Sequence, residues 1–118
     1  MTVRACLAAS LLSFASFSPA LLASDWKPLV NQPPVGFAST LFLLTDGRLL
    51  LSDEFTNHWW LLTPDANGSY LNGTWKQAAD SNYDRLYFGS SVLADGRVII
   101  AGSEYSVLGG SWTNKTEI

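Results

Sequence analysis

Very little in this chain is equipped for metal or thiol chemistry. Among its 118 residues there is one cysteine, Cys6, and one histidine, His58. No phosphate-binding glycine loop, nucleophile elbow or spaced Cys/His zinc motif is present, so the usual sequence marks of those chemistries are missing. Charge is sparse and leans acidic, with seven Lys+Arg against ten Asp+Glu and a net charge of −3. That balance argues against nucleic acid or an anionic membrane surface as partner. It is the ordinary composition of a solvated protein.

The first residues remove more of what is scarce. Met1-Thr2-Val3-Arg4 carries one positive charge, and the stretch from Ala5 to about Leu22 is apolar, with no charge before Asp25. Small residues at Ala20, Ala23 and Ser24 offer cleavage positions. Residues 1–23 therefore read as a secretory signal peptide, with a membrane anchor as the rival reading. Cleavage after Ala23 places Leu21 at the third position back; cleavage after Ala20 places Ser18 there, and both remain open. Removal takes away Cys6 and Arg4. The mature chain then has no thiol, hence no disulfide and no cysteine metal site, and is more acidic by one unit. This predicts a secreted or periplasmic protein with no membrane insertion after cleavage and no cofactor.

What the chain does have is a repeat. Asp46-Gly47-Arg48-Leu49-Leu50-Leu51 returns as Asp95-Gly96-Arg97-Val98-Ile99-Ile100, and Trp26-Lys27 returns as Trp75-Lys76, each 49 residues later. A period near 50 residues built on short strands predicts propeller-type blades. Two apolar runs parted by Asp-Gly predict a hairpin with a type I′ turn. The runs are continuously apolar, as in strands covered on both faces.

Strands are accordingly expected over residues 36–45, 48–52, 58–63 and 74–77, with a turn-rich link from Pro64 to Gly73. In the second copy they are expected over residues 87–93 and 97–101. A long loop from Gly102 to Asn114 and the start of a further strand at Lys115 complete the reading. The fold class is all-β: a closing strand at residues 24–31, one complete four-stranded blade at 36–78, and a partial second blade at 85–118. A ring takes about four to eight blades. The chain is therefore expected to be the N-terminal part of a longer propeller, or alternatively a short protein that self-associates to close the ring.

The run Arg85-Leu86-Tyr87-Phe88-Gly89-Ser90-Ser91-Val92-Leu93-Ala94-Asp95-Gly96-Arg97-Val98-Ile99-Ile100-Ala101-Gly102 resembles a bacterial kelch blade. Departures stand where that family has a double glycine: Gly102-Ser103 in the second copy and Ser52-Asp53 in the first. The blades also resemble the central domain of galactose oxidase. That resemblance implies a copper-ligand role for a tyrosine at the place of Tyr87, cross-linked to a cysteine at about the place of Ala38, which is not cysteine here. The other ligands of that family fall in blades that are not present.

Candidate functional residues follow from the blade geometry, which brings loops to one face. Tyr87, Glu104, Tyr105 and Trp112 are the candidates for binding a protein or a carbohydrate, because aromatic faces stack on sugars or fill protein pockets. The competing reading of Trp112 is that it covers a blade edge. His58 alone reads as a packing or surface residue. Asp53 and Glu54 are adjacent, so on a strand they face opposite ways and make no acid–base pair. Asp65-Ala66-Asn67-Gly68-Ser69 reads as an Asx-type turn and not as a calcium loop. Asn67, Asn72 and Asn114 head glycosylation sequons, which matter only in a glycosylating host. Two functions stand: a secreted binding module for proteins or glycans, or the opening part of a secreted carbohydrate-active or copper-radical oxidase.

Overall fold

A computed structural model describes residues 26–118, apart from the side chain of Ser111. The expected signal peptide lies outside the described residues. The described chain contains strands and no helix. They are β1 (Ala38–Leu43), β2 (Leu49–Asp53), β3 (Trp59–Thr63), β4 (Thr74–Gln77), β5 (Gly89–Val92), β6 (Val98–Ser106) and β7 (Gly109–Glu117). They form two antiparallel meanders, one in the order β1-β2-β3-β4 and one in the order β5-β6-β7.

The 49-residue repeat is present atom for atom in the first hairpin of each sheet. Leu44 N–H donates to Arg48 O (2.9 Å), and Gly47 N–H donates to Leu44 O (3.0 Å). In the second sheet Leu93 N–H donates to Arg97 O (2.8 Å), and Gly96 N–H to Leu93 O (2.9 Å). Asp46 Oδ2 takes the Nε of Arg48 at 2.8 Å, and Asp95 Oδ2 takes the Nε of Arg97 at 2.9 Å. Those guanidinium contacts hold both exposed carboxyls below the usual carboxylate range. The turn differs from the expected type I′. Only the glycine is left-handed, at φ 83° in Gly47 and 87° in Gly96. Thr45 and Asp46 form a β-turn and Gly47 follows it as a one-residue bulge, the three-residue hairpin loop.

The two glycines are not equivalent. A Cβ on Gly47 meets nothing within 4 Å, whereas one on Gly96 lies 2.6 Å from Oγ1 of Thr45. The second turn thus rests on the first. Gly47→Ala is expected to cost about 1 kcal/mol through backbone strain alone. Gly96→Ala is expected to cost more, and Thr45→Ala should recover the excess. Denaturant melts of the three variants and the double variant check this.

Residues directly opposed across strands share a face. In the first sheet one face carries Leu41, Leu43, Leu49, Leu51, Trp60 and Leu62, and the other carries Phe42, Leu50, Trp59 and Leu61. The second sheet presents Ser90, Val92, Val98, Ile100 and Glu117 on one face, and Gly89, Ser91, Ile99, Ala101 and Thr116 on the other. The sheets meet through the Phe42/Trp59 face of the first and the Val98/Ile100 face of the second. Trp59 stacks on Phe42 (centroids 6.1 Å) and meets Phe88 edge-on (6.0 Å). Trp59, Leu51, Leu62 and Ile100 are buried. The link at residues 78–82 is fastened to both sheets: Ser81 N–H donates to Asn57 O (2.9 Å), and Asn82 N–H to Oε1 of Glu117 (2.7 Å).

Two expectations are corrected. The stretch 102–114 is not a loop but most of a long hairpin, since β6 runs to Ser106 and β7 begins at Gly109. Its glycines are accommodated within pairing: Gly102 is left-handed (φ 71°) where the register slips, and Gly109 (φ 106°) follows the Val107-Leu108 turn. Nor do residues 26–31 form a strand. Trp26 is fully exposed. The segment is instead tied to the β3–β4 link and to β4, with Val30 N–H donating to Leu71 O (2.9 Å) and Trp75 Nε1 to Asn31 O (3.0 Å).

Candidate functional site

The long hairpin is built on a buried arginine. Arg85 has a side chain only 2% exposed. Its Nη2 lies 2.9 Å from Oε2 of Glu117, and its Nη1 donates to the carbonyls of Gly102 and Lys115, the latter at 3.0 Å. The guanidinium also sits over the ring of Tyr83, 5.3 Å from its centroid. One planar fork therefore joins β6, β7 and the segment entering β5, which a lysine has too few fixed donors to do.

Burial pushes the Glu117 carboxyl up, but hydrogen bonds from Asn82 and Arg85 outweigh it, and the group ends below its ordinary value. A carboxyl whose value is lower in the folded state stabilises fully above its unfolded value, about 4.5, and loses that contribution as pH falls through the folded value. The stability gap between the wild type and Glu117→Gln is therefore expected to be widest near neutrality and to shrink in acid. Denaturation curves across a pH series measure it.

Leu86 is clamped next to this arginine. Its N–H donates to Tyr105 O (3.1 Å), and its carbonyl accepts the N–H of Glu104 (3.1 Å). Ser103 Oγ, buried, accepts from Leu86 N–H at 3.2 Å and lies within donating distance of Leu86 O and Tyr105 O. Held this way, the chain passes Tyr87 in a left-handed conformation, φ 54°. For a non-glycine residue that costs about 1–2 kcal/mol, and such strain concentrates at functional sites. The Tyr87 ring then meets Tyr105 edge-on, centroids 5.8 Å apart. Both remain accessible, Tyr87 at 68% and Tyr105 at 39%.

Beside Tyr105 lies a depression of about 210 Å³ that also involves Tyr83, Asp84, Thr113 and Lys115. Asp84 Oδ2 accepts the N–H of Val107 at 2.6 Å, so the same carboxylate pins the hairpin tip. Two of the four sequence candidates, Tyr87 and Tyr105, are thus brought together. Glu104 is adjacent to Tyr105 on β6 and leaves the opposite face. Trp112, on β7, is 83% exposed, and no aromatic pair joins it to either tyrosine among the described residues.

No protein-family model, curated protein or solved structure matches this chain. What it resembles is carried by its own internal repeat.

A larger cavity, about 360 Å³, lies between the two sheets, with Leu50, Trp59 and Leu61 on one wall and Val98 and Ile100 on the other. The sequence candidates include none of its residues. Its signal was the unbroken apolar character of the strands, which marks a seam between sheets without marking a space in it. Asp80 stands at its margin, 3.0 Å from Nδ1 of His58, and that contact together with one from Gln77 holds the carboxyl low. His58, just before β3, thus ties the start of that strand to the 78–82 link at the surface. Asp65 Oδ1 accepts the N–H groups of Asn67 and Ser69, both at 2.9 Å, the Asx-type turn expected. Among the described residues no three His, Cys, Asp or Glu groups gather as a metal site. Ala38, at the place where the oxidase resemblance implies a cysteine, opens β1 opposite Asp53.

Proposed function

We propose that the chain is a segment of a kelch-type β-propeller working outside the cytoplasm as a binding module for a protein or a glycan. The observation that carries this is the Tyr87–Tyr105 pair: two accessible aromatic rings fixed by a buried clamp, beside a polar depression. Aromatic faces with nearby hydroxyl, carboxylate and ammonium groups suit a sugar ring or a partner's side chain. The strain at Tyr87 favours a functional reading, since a left-handed tyrosine is retained at a cost to stability. Two stacked sheets repeating at 49 residues support the blade reading, and the apolar leader supports export.

The test is retention on immobilised polysaccharides such as cellulose, chitin and xylan, and on an array of extracellular proteins. Tyr105→Ala is expected to weaken a bound partner by about tenfold or more, the effect of removing an aromatic contact of 1.4 kcal/mol or larger. Trp112→Ala, exposed and apart, is expected to weaken it only if the ligand extends along β7. Unchanged retention by both variants would remove the hairpin as the recognition element.

A further inference from the structure

The same end of both sheets carries a pair of accessible aromatic rings. The 45–47 and 94–96 turns lie together, since a Cβ on Gly96 would stand 2.6 Å from Oγ1 of Thr45. From these turns the strands run to a common far rim, where β1 and β5 begin and β2 and β6 end. On the second sheet that rim holds Tyr87 and Tyr105, edge-on with planes at 83°. On the first it holds Phe37 and Phe55, also edge-on, with centroids 6.4 Å apart and planes at 86°. Phe37 is 66% and Phe55 41% exposed, close to the values of the two tyrosines.

The likeness is not a copy of the repeat alone. The residue one repeat after Phe37 is Leu86, and the ring that meets Tyr105 comes from the next position, Tyr87. The backbone does repeat: Glu54 N–H donates to Phe37 O at 2.8 Å, as Glu104 N–H donates to Leu86 O. Each pair contains one left-handed residue, Phe55 at φ 64° in the first and Tyr87 in the second, and these are not counterparts. Two different local routes thus end in the same exposed pair, and each keeps a strained backbone to reach it. A carboxylate pinned by a backbone N–H stands beside each. Asp53 Oδ1 accepts from Phe37 at 3.4 Å, as Asp84 Oδ2 accepts from Val107.

We infer that the Phe37–Phe55 pair is a second aromatic subsite and that, with Tyr87–Tyr105, it binds one linear, uncharged polysaccharide laid across both sheets. This rests on the binding reading above and narrows it to a glycan. Stacked sheets stand about 10 Å apart, so equivalent platforms on successive sheets meet successive parts of a ligand that itself repeats. A protein hot spot sits in an enclosed pocket ringed by contacts that exclude water. These rings are open, on separate sheets. Carboxylate oxygens accept hydrogen bonds from neutral hydroxyl groups. Asp53 on one sheet, and Asp84 balanced by Lys115 on the other, leave no surplus of cations for a uronate or sulfated chain. One ligand joining two weak contacts gains affinity by effective concentration, without any further contact.

The experiment is affinity electrophoresis of the secreted protein carrying this chain, through gels holding hydroxyethyl cellulose, xylan, galactomannan or starch. Short and long oligosaccharides of whichever one retards it are then titrated. The wild type is expected to be retarded, and its affinity should climb steeply once the oligosaccharide is long enough to span both pairs. Phe37→Ala should weaken the long oligosaccharide by about tenfold and barely change the short one, and Phe37→Tyr should restore it. Far-ultraviolet circular dichroism of both variants should match the wild type. The length dependence needs no variant, and its absence overturns the inference. So does an affinity for the long chain that Phe37→Ala leaves unchanged, or a protein that none of the four polysaccharides retards. Loss on Tyr105→Ala without loss on Phe37→Ala removes the second subsite and leaves the binding reading standing. Capture of a protein partner that depends on Tyr105, with no glycan bound, does the same. Indifference to both substitutions overturns both readings.

Discussion

Arg85→Ala is expected to destabilise the second sheet by about 3–5 kcal/mol, the cost of breaking one partner of a buried ion pair. The side chain it removes is almost wholly enclosed and touches three carbonyl or carboxylate groups on two strands. Glu117 would be left partly buried with only Asn82 as a donor. The carbonyls of Gly102 and Lys115 would lose their partner at the place where the β6–β7 register slips. Loss should therefore open the hairpin before it touches the first sheet. Arg85→Lys keeps the charge but not the fork and is expected to recover less than half of the loss. Hydrogen exchange resolved by residue checks both points: β6 and β7 should lose protection while β2 and β3 keep theirs. Equal loss across both sheets would show that Arg85 supports the whole molecule and not the hairpin.

Trp59→Ala is expected to cost about as much, roughly 3–5 kcal/mol for a buried large aromatic, but with the opposite distribution. Trp59 is 7% exposed and touches Phe42 in its own sheet and Phe88 in the approach to the second. Truncation enlarges a cavity that already exists between the sheets, so little can collapse into the gap. The coupling between sheets should fall with it. Wild-type unfolding is expected to be a single transition, and the variant should show two, followed by tryptophan fluorescence and far-ultraviolet circular dichroism. A single cooperative loss in the variant would mean that the 78–82 link, through Asn57, Ser81 and Asn82, is enough to hold the sheets together.

The strands of the first sheet were legible because their residues leave few alternatives. Leu41–Leu44 and Leu49–Leu51 flank Asp46-Gly47, and the copy at Asp95-Gly96 confirms the pattern within the same chain. The turn type was not legible, since Asp-Gly serves both the two-residue loop and the three-residue loop with a terminal bulge. Thr45 and Ala94 decide it by joining the turn instead of the strand. The long hairpin was missed for a related reason. Gly102, Gly109 and Gly110 resemble loop punctuation, yet Gly102 sits at a bulge and Gly109 ends a two-residue turn. The pairing of Arg85 with Glu117 spans 32 residues, and nothing local to either announces burial. Tyr87 and Tyr105 were legible as aromatics near one blade face, but the meeting of their rings depends on the clamp around Leu86, a tertiary feature. Glu104 was grouped with them by sequence proximity, which on a strand places neighbours on opposite faces. Residues 26–31 share the Trp-Lys pair of β4 without forming a strand, since two matching residues do not fix a pairing partner.

The two sheets are successive copies of one unit, packed through Trp59 with the Phe42/Leu50/Leu61 face of the first against the Val98/Ile100 face of the second. Nuclear Overhauser contacts between the ring protons of Trp59 and Phe88 in the chain spanning residues 26–118 test it most directly. The account predicts clear cross-peaks between the two rings, with Phe42 contacts on the other side of Trp59. Intact β2–β3 and β6–β7 pairing without any Trp59–Phe88 cross-peak would contradict it.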